Sequence, residues 1–154
     1  MHKVYINGSA CISPQNTFDE GFPFEPIEKE GKHLLIEKPV YKKYISPIRL
    51  RRMKHVVKMG IATANKALKE AAIEKPDAII CGTALGCMED TEKFLSNMIS
   101  DNEGLLNPTA FIQSTHNTVA GQIALINKCN GYNFTYVHRG FSYENALLDA
   151  FMML

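Results

Sequence analysis

Apolar positions along this chain follow two periods. Met53, Val56, Val57, Gly60, Ile61, Ala64, Ala67, Leu68 and Ala71 recur at steps of three and four, which predicts one amphipathic helix over 48–74 entered at Ser46-Pro47. Ala78 to Cys81 is a continuous apolar run, the pattern of a strand covered on both faces. A glycine loop at 82–86 follows, and then a helix over 89–100 with acids in its first turn, where the helix dipole favours them. A loop around Gly104 and Pro108 leads to a helix over 118–128 stopped by Asn130-Gly131, a strand over 133–137 and a last helix over 143–154. Earlier in the chain, Val4-Tyr5-Ile6, Ala10-Cys11-Ile12 and His33 to Lys38 read as short strands, the last stopped by Pro39. Residues 15–31 carry two prolines and five acids and read as an irregular connection or arm. Strands alternating with helices predict a single α/β domain over 1–154.

Composition narrows the classes of function. With 154 residues the chain has the length of one domain. Seventeen basic residues against sixteen acids leave +1, so overall charge argues for neither nucleic acid nor an anionic membrane as partner. Its longest uncharged stretch, 104–127, contains Asn107, Pro108, Gln113, His116, Asn117 and Gln122, which predicts no membrane span. Cysteines 11, 81, 87 and 129 form no CxxC pair, and the opening residues resemble no signal peptide, so the expectation is reduced thiols and a cytoplasmic location.

Local chemistry is sparse. Gly82-Thr83-Ala84-Leu85-Gly86 lies between strand and helix, where glycine loops cradle phosphate, but it matches neither GxGxxG nor a P-loop and reads as a tight turn. Five histidines show no metal-ligand spacing, so no metal or other cofactor is expected. His116 and His138 stand out as polar residues at element ends, although local hydrogen bonding accounts for each more simply. Between Lys38 and Lys69 stand ten Lys and Arg and no acid, a basic run that suits either a solvated helix face or a landing site for an acidic partner. In the last helix, Ala146, Leu147, Ala150, Phe151 and Leu154 fill one side while Leu148, Met152 and Met153 lie off it. A helix apolar all round is to be buried all round, by the rest of the chain or by another one.

Four passages, in order, resemble the N-terminal part of a β-ketoacyl synthase, a condensing enzyme of the thiolase fold. They are Val4-Tyr5-Ile6-Asn7-Gly8 through Ser13-Pro14; Ile48 to Ala72 with Arg51-Arg52-Met53; Ala78 to Glu92 with the GTALG loop and Asp90-Thr91-Glu92; and Asn107-Pro108 through Asn117-Thr118-Val119-Ala120-Gly121-Gln122-Ile123-Ala124. The resemblance implies an α/β thiolase-like half-fold, a layered mixed sheet with helices on both faces. It spans nearly the whole chain, whose length is well under half of a complete ketosynthase.

The same resemblance puts Gly140 at the position of the family's nucleophilic cysteine, with Ser142 two residues on. It leaves the histidines of the family's C-terminal half outside this sequence. It therefore implies a cysteine-less, chain-length-factor-like subunit with no condensing activity of its own, belonging to fatty acid or polyketide biosynthesis. Such a subunit pairs with a full ketosynthase or with itself. Phe111, Ile112, Gln113, Ser114 and His116 would then shape an acyl pocket and interface, and Arg49, Arg51, Arg52, Lys54 and Lys58 would dock an acyl carrier protein. His116, His138 and Ser142 are secondary candidates for altered chemistry on an acyl thioester, as a decarboxylase or hydrolase. A non-functional remnant is the remaining alternative.

Overall fold

The computed structural model describes residues 3–20, 25–28, 30–104 and 106–154. These gather into two compact units, Tyr5–Glu74 and Lys75–Leu154, the second joined by the chain's start to Val4. Each is built on its own logic.

In the first unit, α1 is a single turn, Thr17–Glu20, with Thr17 and Phe18 buried. It lies inside the segment 15–31 expected to be irregular, of which residues 21–24 and 29 fall outside the described residues. A 3-10 turn at Tyr41–Lys43 and α2, Pro47–Leu50, precede α3, His55–Glu70. The single helix expected over 48–74 is thus broken at 51–54, where Lys54 is extended. Arg49 and Arg52, and Arg51 and Lys54, would stack like charges three residues apart on a continuous helix, a spacing that destabilises it. Val57, Ile61 and Ala62 are buried on α3, and Phe18 and Ile45 are buried too. Polar side chains of α3 tie the flanking segments down: Asn65 Nδ2 donates to the Tyr44 carbonyl at 3.1 Å, Glu70 accepts from Ser9 N–H at 3.1 Å, and Lys66 Nζ donates to the Phe18 carbonyl and lies over that residue's ring.

The second unit contains β1, Ala78–Thr83; α4, Met88–Ser100; α5, Pro108–Ser114; α6, Thr118–Asn127; β2, Tyr132–Val137; and α7, Ser142–Met153. β1 and β2 pair in parallel, Ala78 opposite Tyr132 through Thr83 opposite Val137. Side-chain alternation assigns the faces. Asn133 Nδ2 donates to the Ala120 carbonyl of α6, whereas Tyr132 Oη donates to Asp149 of α7. Adjacent strand residues thus reach different helices, and α6 and α7 cover opposite faces of the pair. Val119, Ala120 and Ile123 of α6 are buried with Cys87 and Cys129.

Two expectations are corrected. The sheet is a purely parallel pair rather than a mixed one among the described residues, and the extended runs at Val4–Ile6, Ala10–Ile12 and His33–Lys38 join no ladder. Just past the second of these runs, the Ser13 carbonyl accepts from Glu37 N–H of the third at 2.9 Å. Apolar alternation makes a segment fit for a sheet, but the ladder needs a neighbouring edge in register. Also, the loop expected around Pro108 is the helix α5. Asn107 Oδ1 caps it by accepting from Thr109 N–H at 2.9 Å, and Pro108 occupies its first turn.

α7 turns only part of its surface to the sheet. Ser142 is buried and Ala146 and Ala150 are partly covered, while Tyr143, Leu147, Leu148, Phe151, Met152, Met153 and Leu154 are each at least half exposed. The described residues of the second unit leave this side of the helix open.

Candidate functional site

The sequence candidates of the second unit collect where β1 and β2 end. In parallel α/β sheets the crevice beyond the carboxyl ends of the strands is where ligands bind. β2 leaves its ladder at Val137 and turns through a 3-10 turn, Arg139–Phe141, into α7. Arg139 takes a left-handed backbone, φ 48°. Gly140 does not, and a Cβ built on it would meet nothing within 4 Å. Glycine is therefore not demanded there by backbone or space.

Ser142 is 3% exposed and fully engaged. Its Oγ accepts from His138 N–H at 2.8 Å and lies 2.8 Å from the Thr83 carbonyl and 3.0 Å from the Arg139 carbonyl. One hydroxyl thus joins the end of β1, the end of β2 and the start of α7. This is a structural knot, and it leaves no nucleophile. The close approach is made possible by Gly82, where a Cβ would run into the Ser142 carbonyl. His138 is exposed, with Nδ1 3.1 Å from Asn145 Nδ2 and its ring 5.8 Å from that of Phe141.

His116 reaches the same end of β1 from the α5–α6 connection. Its ring lies against Gly86, which has φ 65° and no room for a Cβ, and Gly86 N–H donates to Thr83 Oγ1 at 3.1 Å. Thr83 thus belongs to both arrangements, bonding Gly86 through its hydroxyl and Ser142 through its carbonyl. The GTALG loop is a tight turn packed by a histidine, in keeping with the absence of a phosphate-binding motif.

α5 packs on α4. Thr91 Oγ1 donates to the Ser114 carbonyl at 3.0 Å, and Phe94 and Phe111 have ring centroids 5.5 Å apart. Phe111 and Ile112 are exposed, Gln113 and Ser114 half-buried. Ser114 Oγ donates back to the Phe111 carbonyl at 2.7 Å, and Thr118 Oγ1 donates to the Ile112 carbonyl at 3.0 Å. The residues expected to line an acyl pocket are therefore a fixed apolar step with its polar atoms satisfied internally. Phe94 was not singled out by sequence. Its place as the aromatic neighbour of Phe111 needed the α4–α5 packing to be seen.

Burial pushes the Cys81 thiol up, and burial, the Asp90 carboxylate and Cys81 push the Cys87 thiol up against a lowering hydrogen bond with Thr118. Both are held away from the reactive thiolate. Arg49, Arg51 and Arg52 are exposed, and Lys54 and Lys58 partly so, all in the first unit. Lys66 is withdrawn from the basic run by its bond to Phe18. Among the described residues no helix is long and apolar enough to cross a membrane.

These features match known proteins. The family profile described as "Beta-ketoacyl synthase, N-terminal domain" matches residues 28–154. No curated protein matches. Among solved structures, a ketosynthase (ApeO) in complex with its chain length factor (ApeC) from Xenorhabdus doucetiae superimposes with a TM-score of 0.70 at 19% identity. The match covers 92% of this chain and 58% of that one. The fold is accordingly the thiolase-like α/β arrangement, of which this chain spans little more than half the length of the solved one. With the profile covering all but its first segment, the chain belongs to the family of β-ketoacyl synthase N-terminal domains.

Proposed function

We propose that this chain is a non-catalytic ketosynthase-like subunit, completed by a full ketosynthase or by a second copy of itself in fatty acid or polyketide-type biosynthesis. The observation that carries the reading is α7, with one side on the sheet and the other, equally apolar, in water. Burying these seven half-exposed side chains, at about 25 cal/mol per Å², is comparable with the stability of a whole domain. The solved relative, itself a ketosynthase in complex with its chain length factor, supports a partner of the same class.

The elbow supports the absence of condensing chemistry. Gly140 offers no nucleophile, Ser142 is sealed, and Cys81 and Cys87 are held protonated. In this reading the exposed Phe111–Ile112 step, set by Phe94, forms part of a shared acyl pocket wall. Arg49, Arg51, Arg52, Lys54 and Lys58 offer an acidic carrier protein a positive surface. Light scattering on the purified chain at micromolar concentration, alone and mixed with a ketosynthase encoded beside it, is the test. The expected result is a defined oligomer or heterodimer, and a stable monomer in both samples ends the proposal.

A second reading has one observation in its favour. The Asn145 amide lies 3.1 Å from His138 Nδ1, and an amide so placed orients an imidazole for general-base work on an acyl thioester. Which amide atom faces the ring is set by the tautomer. Thioester hydrolysis or malonyl decarboxylation by the wild type that disappears in His138→Ala and in Asn145→Ala would establish it.

A further inference from the structure

Along the α7 side of β2 runs an aromatic ladder with one carboxylate set into it. Tyr132 and Phe134 stack at 6.1 Å with planes 9° apart, and Phe134 and Tyr136 follow at 4.8 Å. Asp149 of α7 accepts from Tyr132 Oη at 3.1 Å. Tyr132 and Phe134 are exposed and Asp149 is half-buried. A carboxylate offers about four acceptor positions, and the Tyr132 phenol fills one of them. Among the described residues no cation of this chain pairs with Asp149. The carboxylate also stands in the second half of α7, where the helix dipole disfavours an anion.

We propose that this ladder is a receptor for a guanidinium: an arginine of the polypeptide covering α7 lies on the aromatic rings and donates to Asp149. The inference rests on the reading of the chain as a subunit completed by another. A covering layer over α7 brings Asp149 into an interface, and a carboxylate removed from water unpaired is costly. An arginine satisfies both features, because its planar fork fits the remaining lone pairs while its flat face stacks on aromatic rings. Lysine, a compact, strongly hydrated point charge, does so less well.

N-acetyl-arginine amide is the probe, titrated into the full chain while the ring signals of Tyr132, Phe134 and Tyr136 are followed by NMR. Saturable shifts are expected, with binding about fivefold weaker or more in Asp149→Asn and in Phe134→Ala, and weaker for N-acetyl-lysine amide. Because Asp149→Asn could loosen α7, the wild type is also titrated at high salt, which is expected to weaken binding. Linear, non-saturating shifts, or equal responses to the arginine and lysine amides, overturn the proposal. Oligomer formation separates it from the reading it rests on: association without arginine binding removes the receptor alone, whereas arginine binding by a strict monomer removes the subunit reading.

Discussion

Ser142 shows at the scale of one residue how chemistry and structure compete for the same hydroxyl. With a donor and two carbonyls already around it, its loss leaves polar groups of three elements unsatisfied. Ser142→Ala is expected to lower unfolding free energy by about 1–3 kcal/mol in denaturant titration, while leaving any thioester turnover untouched. Gly140 is the opposite case. Since nothing crowds its missing side chain, Gly140→Cys is expected to fold as the wild type does. Its new thiol, at the start of α7, is expected to alkylate faster near pH 7 than Cys81 or Cys87, as read by mass spectrometry of labelled peptides. Those two buried thiols also set a pH dependence. Their pKa values are raised in the folded state, so folding binds their protons more tightly. The contribution is complete below the ordinary thiol pKa of about 8.5 and is lost as pH climbs through the higher folded values. Thermal midpoints are expected to fall above pH about 8.5, less steeply in Cys81→Ala with Cys87→Ala. The position of Gly140 in the elbow was legible in the sequence through family resemblance. The engagement of Ser142 was not, because its partners Thr83 and His138 come from two strands far apart in sequence.

Elements were legible where their pattern was local. The strands β1 and β2 and the helices α4, α6 and α7 lie within one or two residues of their expected bounds, since apolar period, caps and glycine stops are all carried by adjacent residues, whereas the three strands expected before residue 39 do not form. The helix expected over 48–74 failed at Arg51-Arg52, where the apolar stripe began only at Met53 and like charges accumulated before it. α5 was missed although Asn107-Pro108 is a helix-start signal, because its seven residues are too few to show a period. At this scale the outward side of α7 makes its own prediction. Leu147→Gln with Phe151→Gln alters side chains that the second unit does not cover. The pair is expected to leave the circular-dichroism spectrum and midpoint close to wild type while weakening association at least about tenfold in sedimentation, as interface anchors do. Phe94→Ala is expected to cost about 0.5–1.5 kcal/mol beyond the lost burial, through the ring pair with Phe111.

At the scale of the whole molecule, two strands and the helices on their faces make a layer rather than a closed core. The runs at 4–6, 10–12 and 33–38, which join no strand ladder among the described residues, and the wet side of α7 are features of the same kind, apolar patterning only partly covered. If the proposed ketosynthase partner completes the layer, hydrogen exchange is expected to show it: α7 amides gain protection when that partner is added, while those of α6, already covered on the sheet, change little.

The sequence by itself determined the alternation of helices and strands in the second unit and the family, because each is written in neighbouring residues or in motifs of fixed spacing. Only the tertiary structure decided that Ser142 is a knot, that His116 packs on Gly86, that Tyr132 bonds Asp149, and which side of α7 stays in water. Those depend on which distant segments are brought within hydrogen-bond reach, and periodicity along a chain says which face is apolar without saying what, if anything, will cover it.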